Sequence, residues 1–125
     1  MKRKILLVDD EVAFTRMTKL NLDRSGDYET HIVNDNTQAV AAVKKIKPDI
    51  IFLDVMMPGL DGGEVASLLR EDPELSNIPR VFLTAIVSKE EIAQDGGSQI
   101  GGNEFLAKPI KIHEMTETIE RMLGN

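Results

Sequence analysis

The sequence predicts an α/β fold in which a parallel sheet is covered by helices on both faces. Two observations carry this. Short apolar runs of strand length alternate with amphipathic helical stretches five times. The runs Ile5-Leu6-Leu7-Val8 and Ile50-Ile51-Phe52-Leu53 are continuously apolar, as in strands buried on both faces. Short buried strands alternating with amphipathic helices imply a parallel sheet, and right-handed crossovers leave few topologies for five such units.

The elements follow in order. Ile5 to Val8 forms the first strand and ends in Asp9, Asp10 and Glu11. Ala13, Met17 and Leu20 recur at i, i+4 and i+7, which predicts the inward face of a first helix closed by Ser25-Gly26. Tyr28 to Val33 is more amphipathic, as expected of an edge strand. Asn34, Asp35 and Asn36 make a turn, and Ala39, Val43 and Ile46 line a second helix that Pro48 stops. Ile50 to Leu53 is the third strand, followed by Asp54 and a turn at Pro58, Gly59 and Gly62. Val65, Leu68 and Leu69 mark a third helix ending before Pro73, and Val81 to Thr84 a fourth strand after Pro79. Ser88 and Glu91 form a capping box, so a fourth helix starts there. Gly96-Gly97 cut it short, and with Gly101-Gly102 they predict a mobile loop. Glu104 to Ala107 is the fifth strand, and Ile112, Met115, Ile119 and Met122 face inward on the last helix.

The 125 residues suit one domain, read as 1–125 with no effector domain following Asn125. With 42% hydrophobic and 29% charged residues the balance is globular. The net charge of −6 argues against broad binding to nucleic acid or anionic membrane, so no direct nucleic-acid contact and no membrane are expected. The absence of cysteine excludes disulfides, thiolate metal sites and thiol catalysis. The basic N-terminus is followed by an apolar run too short for a signal core or a membrane span, which predicts a cytoplasmic protein.

In a parallel sheet the carboxyl ends of all strands share one edge, where open α/β sheets place their chemistry. That edge collects Asp9 and Asp10, Asp54, Thr84 and Lys108, while the second strand adds nothing comparable. Each residue alone is an ordinary solvated strand end, but the set is not. Carboxylates about 4 Å apart repel by roughly 4 kcal/mol at an effective dielectric near 20, more than one Lys relieves. Either carboxyl pKa values rise or a divalent cation sits among the acids. All-oxygen ligands suit a hard ion, Mg2+ (or Mn2+). With a cation beside Asp54, and Lys108 and Thr84 available to phosphoryl oxygens, the set suggests phosphoryl transfer to a carboxylate.

Four motifs in this order, Ile5-Leu6-Leu7-Val8-Asp9-Asp10-Glu11, Leu53-Asp54-Val55-Met56-Met57-Pro58 through Asp61-Gly62, Leu83-Thr84-Ala85 and Lys108-Pro109, carry a resemblance. The chain resembles, from end to end, the receiver domain of bacterial two-component response regulators. The resemblance implies a flavodoxin-like (βα)5 sandwich of strand order 2-1-3-4-5. It implies a phospho-acceptor switch rather than a turnover enzyme: Asp54 takes a phosphoryl group from a sensor histidine kinase or phosphotransfer protein, and the domain changes its partner binding and dephosphorylates itself. It further implies metal ligation by Asp10, Asp54 and the backbone carbonyl of Met56, with Asp9 placing a metal-bound water. Lys108 would contact a phosphoryl oxygen, Thr84 and Phe105 would act as switch residues, and Pro109 would follow a cis bond. Output would pass to a downstream protein target, with a possible dimer through the face of the fourth helix, fifth strand and last helix. That face departs most from the family pattern, because Gly101-Gly102-Asn103-Glu104 replaces the usual stretch. Met56 and Ile86 flank the site with apolar side chains, which predicts slow autodephosphorylation.

Other readings fit less well. A haloacid-dehalogenase-type phosphatase needs a second Asp where Met56 stands, and a flavodoxin phosphate loop would not carry Asp9-Asp10-Glu11. A degenerate receiver acting only as a binding module would not retain all five site residues. His31 and His113 each stand away from the acidic edge and are read as solvated or packed.

Overall fold

The computed structural model describes residues 2–54, 62–84, 99–100, 103–108 and 110–124. Its elements are β1 (Arg3–Val8), α1 (Val12–Arg24), β2 (Tyr28–Val33), a 3-10 turn (Asn36–Gln38), α2 (Ala39–Ile46), β3 (Ile50–Asp54), α3 (Gly62–Glu71), β4 (Arg80–Thr84), β5 (Gln99–Ile100), β6 (Asn103–Ala107) and α4 (Ile112–Leu123). The sheet order is β2-β1-β3-β4-β6-β5. The five long strands are parallel and follow the expected order, with β2 at one edge.

β5 is the difference. Part of the expected loop is a two-residue strand, antiparallel to β6, with Gln99 opposite Glu104 and Ile100 opposite Asn103. The predicted helix from Ser88 to Gly96-Gly97 lies outside the described residues.

Alternation along each strand builds two cores. Leu6, Val8, Ile51, Leu53 and Phe82 face α2 and α3, meeting Ala39, Val43, Val65 and Leu69. Ile5, Leu7, Ile50, Phe52, Val81 and Leu83 face the other way, onto Leu22 of α1 and Met115 and Ile119 of α4. Both faces are therefore covered, which explains why residues 5–8 of β1 and 50–53 of β3 are continuously apolar.

α1 is turned differently from the expectation. Ala13, Met17 and Leu20 are exposed, and the buried residues are Thr15, Thr18 and Leu22. Burying threonine on a helix is possible when its hydroxyl is bonded: Thr15 Oγ1 donates to Val12 O (3.1 Å) and accepts from Asn34 Nδ2 (3.0 Å). The apolar pattern Ala13-Met17-Leu20 thus marks the outer face. Leu68 of α3 is likewise exposed, with Val65, Ala66 and Leu69 turned inward.

The end of α1 reads as expected. Gly26 takes φ +83° beyond the C-cap Ser25, whose hydroxyl donates to Leu22 O (3.0 Å). α4 opens with Lys111 N–H donating to Glu114 Oε1 (2.9 Å) and closes at Gly124, φ +68°. No helix among the described residues is long and apolar enough to cross a membrane.

Candidate functional site

The carboxyl ends of β1, β3, β4 and β6 bring Asp9, Asp54, Thr84 and Lys108 to one sheet edge. Asp9 follows β1 and is fully buried. Its backbone N–H donates to Val33 O (3.0 Å), which continues the sheet one residue past the strand. Its Oδ1 accepts from Glu11 N–H (2.9 Å), an Asx turn that starts α1 and swings Glu11 over the edge. Asn34, just past β2, donates from Nδ2 to Asp9 O (2.7 Å) as well as to Thr15. The second strand, from which nothing was expected, supplies this positioning residue.

Asp54 closes β3 and is buried. Thr84 closes β4, also buried, and its carbonyl accepts from Lys108 N–H (2.8 Å). That bond holds the start of the Lys108 side chain against the sheet. Lys108 Nζ then lies 2.6 Å from Glu11 Oε1, 2.7 Å from Asp9 Oδ2 and 3.3 Å from Asp54 Oδ2. It also sits 5.1 Å from the centroid of the Phe14 ring, within range of a cation–π contact.

Burial raises the Asp9 carboxyl pKa above its ordinary value, and the nearby Asp54 charge adds to this. The ion pair with Lys108 and the bond from Glu11 N–H only partly oppose the rise. For Lys108 burial acts against the charge, but its pairing with Asp9 and Glu11 and the Asp54 charge outweigh it, so its pKa rises. Lys108 is therefore an ammonium throughout the physiological range.

Asp9, Glu11 and Asp54 offer carboxylate oxygens that all lie within 4.8 Å of one another. Glu11, which the sequence placed only at the end of an acidic run, joins this group, whereas Asp10 is exposed. Three carboxylates exceed the single charge of Lys108. Asp9 Oδ2 is ion-paired to Lys108 without an aligned hydrogen bond, which leaves a buried lone pair for a second cation. An all-oxygen set with surplus negative charge fits Mg2+ or Mn2+. These residues fit a hard divalent ion.

Phe105, three residues before Lys108, is partly buried and packs against Phe82, with ring centroids 5.3 Å apart. His113 is exposed, and His31, which pairs with Leu6 within the sheet and not with a residue of the acidic edge, has its Nε2 2.6 Å from Glu29 Oε2. Met56, Ile86 and Pro109 lie outside the described residues. Glu11, Phe14 and Asn34 were not legible as site residues. Only its place two residues after Asp9 hinted at its role.

The model of the response regulator receiver domain matches residues 5–120. The chain belongs to the response regulator receiver domain family. This receiver is 33% identical over 123 residues to the DNA-binding response regulator MtrA of Mycobacterium tuberculosis, covering 98% of this chain and 51% of MtrA. It is 36% identical to the alkaline phosphatase synthesis transcriptional regulatory protein PhoP of Bacillus subtilis, over 98% of this chain and 49% of PhoP. Among solved structures, the chemotaxis response regulator CheY4 of Vibrio cholerae superposes with a TM-score of 0.79 at 28% identity, covering 98% of this chain and all (100%) of that one. The chain thus spans about half the length of the curated relatives it matches.

These relatives correct one expectation. Net charge suggested no direct contact with nucleic acid, yet MtrA is a DNA-binding regulator by name and aligns with this receiver almost throughout. The acidity of a receiver domain reports on its own surface and does not bear on what a regulator containing one binds.

Proposed function

We propose that this receiver is a phospho-acceptor switch in which Asp54 accepts a phosphoryl group from a histidine kinase or phosphotransfer protein. The observation that carries it is the buried carboxylate of Asp54 at the end of β3, with Lys108 Nζ 3.3 Å from its Oδ2 and Asp9 beside it. A carboxylate oxygen of Asp54 attacks phosphorus, the new P–O bond forms as the P–N bond to the donor histidine breaks, and the histidine nitrogen leaves with the electron pair. Lys108 holds a phosphoryl oxygen and neutralises charge that three carboxylates would otherwise repel. Thr84, at the end of the neighbouring strand, offers its hydroxyl to a second oxygen. Water later cleaves the acyl phosphate and regenerates Asp54.

Asp9, Asp10, Asp54 and the Met56 carbonyl are the residues proposed to hold Mg2+ or Mn2+, directly or through a bound water. The ion supplies further positive charge at the phosphoryl group. Movement of Thr84 is proposed to be relayed to Phe105, which rests on Phe82 of the same strand, β4. The domain is proposed to work in the cytoplasm, as a signalling acceptor and not a turnover enzyme. The name of MtrA makes nucleic acid a target class to assay alongside proteins.

The test is incubation with a small phosphodonor, with and without Mg2+, followed by intact-mass measurement of wild type and Asp54→Asn. The expected result is one phosphoryl adduct, dependent on Mg2+ and absent in the variant. Equal mass gain in both proteins would remove Asp54 as the acceptor.

A further inference from the structure

The shortest contact of Lys108 is not to the proposed acceptor. Nζ is 2.6 Å from Glu11, 2.7 Å from Asp9 and 3.3 Å from Asp54, although Glu11 is the most solvent-exposed of its three described partners, at 60%. Glu11 reaches this position because its own N–H is bonded to Asp9 Oδ1 (2.9 Å), so the acid that pairs with Lys108 also orients the residue that competes for it. An ammonium has three donors; here it donates to Glu11 and Asp54 and is ion-paired to Asp9 Oδ2.

We infer that Glu11 is a positioning residue for Lys108, holding its ammonium nearer to Glu11 and Asp9 than to Asp54 and yielding it to a phosphoryl group on Asp54. The inference rests on the reading of Asp54 as acceptor. A cation at Asp9 and Asp54 competes with Lys108 for the same oxygens. Glu11 then gives Lys108 an alternative partner and adds its own negative charge to the attraction for the ion. A phosphoryl group has the opposite relation to Glu11. It competes with Glu11 for Lys108 and is repelled by its charge. One side chain thus favours the cation and opposes the phosphoryl group.

That opposition separates positioning from a structural role, which would move both affinities together. The test uses the full chain as wild type, Glu11→Gln and Glu11→Asp. Mg2+ alone is titrated by calorimetry, and beryllium fluoride, a phosphoryl mimic, is titrated at saturating Mg2+ by fluorine NMR. Glu11→Gln is expected to weaken Mg2+ by about tenfold and to tighten beryllium fluoride by a similar factor. Glu11→Asp, which keeps the charge, is expected to return both affinities towards wild type. Unchanged affinities in Glu11→Gln, or a shift of both in the same direction, would overturn the inference. Failure of wild type to bind beryllium fluoride in an Asp54-dependent manner would instead overturn the acceptor reading, and this inference with it.

Discussion

Lys108 is the single described cation among Asp9, Glu11 and Asp54, and two of those acids are buried. Removing one partner from a buried charge group leaves the others uncompensated, which costs more than the group contributes when intact. Lys108→Met is therefore expected to destabilise the domain by about 2 kcal/mol at neutral pH, somewhat below the range for fully buried pairs because Glu11 is solvated. Millimolar Mg2+ is expected to restore much of that loss, since a divalent ion replaces the missing charge and no longer competes with an ammonium. Thermal denaturation with and without Mg2+ checks this. A variant as stable as wild type in the absence of the ion would show that the acids are not held in unfavourable proximity.

At the scale of elements, α1 offers the clearest contrast between pattern and packing. Leu22 is almost fully buried against the sheet, whereas Met17 is 59% exposed. Leu22→Ala is expected to cost about 3 kcal/mol through lost burial and a residual cavity, and Met17→Ala less than about 0.5. Urea unfolding of the two variants measures both, and equal losses would contradict the orientation of the helix. The same helix is tied to β2 by Asp23, whose Oδ1 accepts from Thr30 N–H (2.9 Å) and whose Oδ2 accepts from Lys19 (2.7 Å). Burial pushes the Asp23 carboxyl up, but these bonds outweigh it and its pKa is lowered. A lowered folded pKa means the tie contributes above the ordinary carboxyl value of 3.8 and is lost as pH falls through the folded value. Asp23→Asn is expected to cost about 1 kcal/mol at pH 7. The difference from wild type should shrink below pH 3.8 in an acid-unfolding series.

For the whole molecule, the carboxyl edge of a parallel sheet gathers groups from distant parts of the chain without any of them being neighbours in sequence. Glu11 and Lys108 are 97 residues apart and touch because β1 and β6 run the same way in one sheet. Proposed phosphorylation of Asp54 and Mg2+ binding would act on this junction, where elements from both halves of the chain meet. The two cores on either side of the sheet keep it in place, and Phe105 packs against Phe82 in one of them.

Much of this was determined by sequence alone. Strand positions follow from apolar runs bounded by Pro, Gly and acids, and the parallel sheet follows from their alternation with helices. Strand direction then places Asp9, Asp54, Thr84 and Lys108 at one edge, because in a parallel sheet the end of each strand is known once the strand is. Tertiary structure alone decided the rotation of α1. Its two faces differ little in apolar content, and Thr15 could be buried only because Asn34 and the backbone of Val12 satisfy its hydroxyl. It also decided that Glu11, and not Asp10, completes the described acidic group. An Asx turn between a strand and a helix sets which of two adjacent carboxylates points over the edge, and that geometry is invisible in the order of residues.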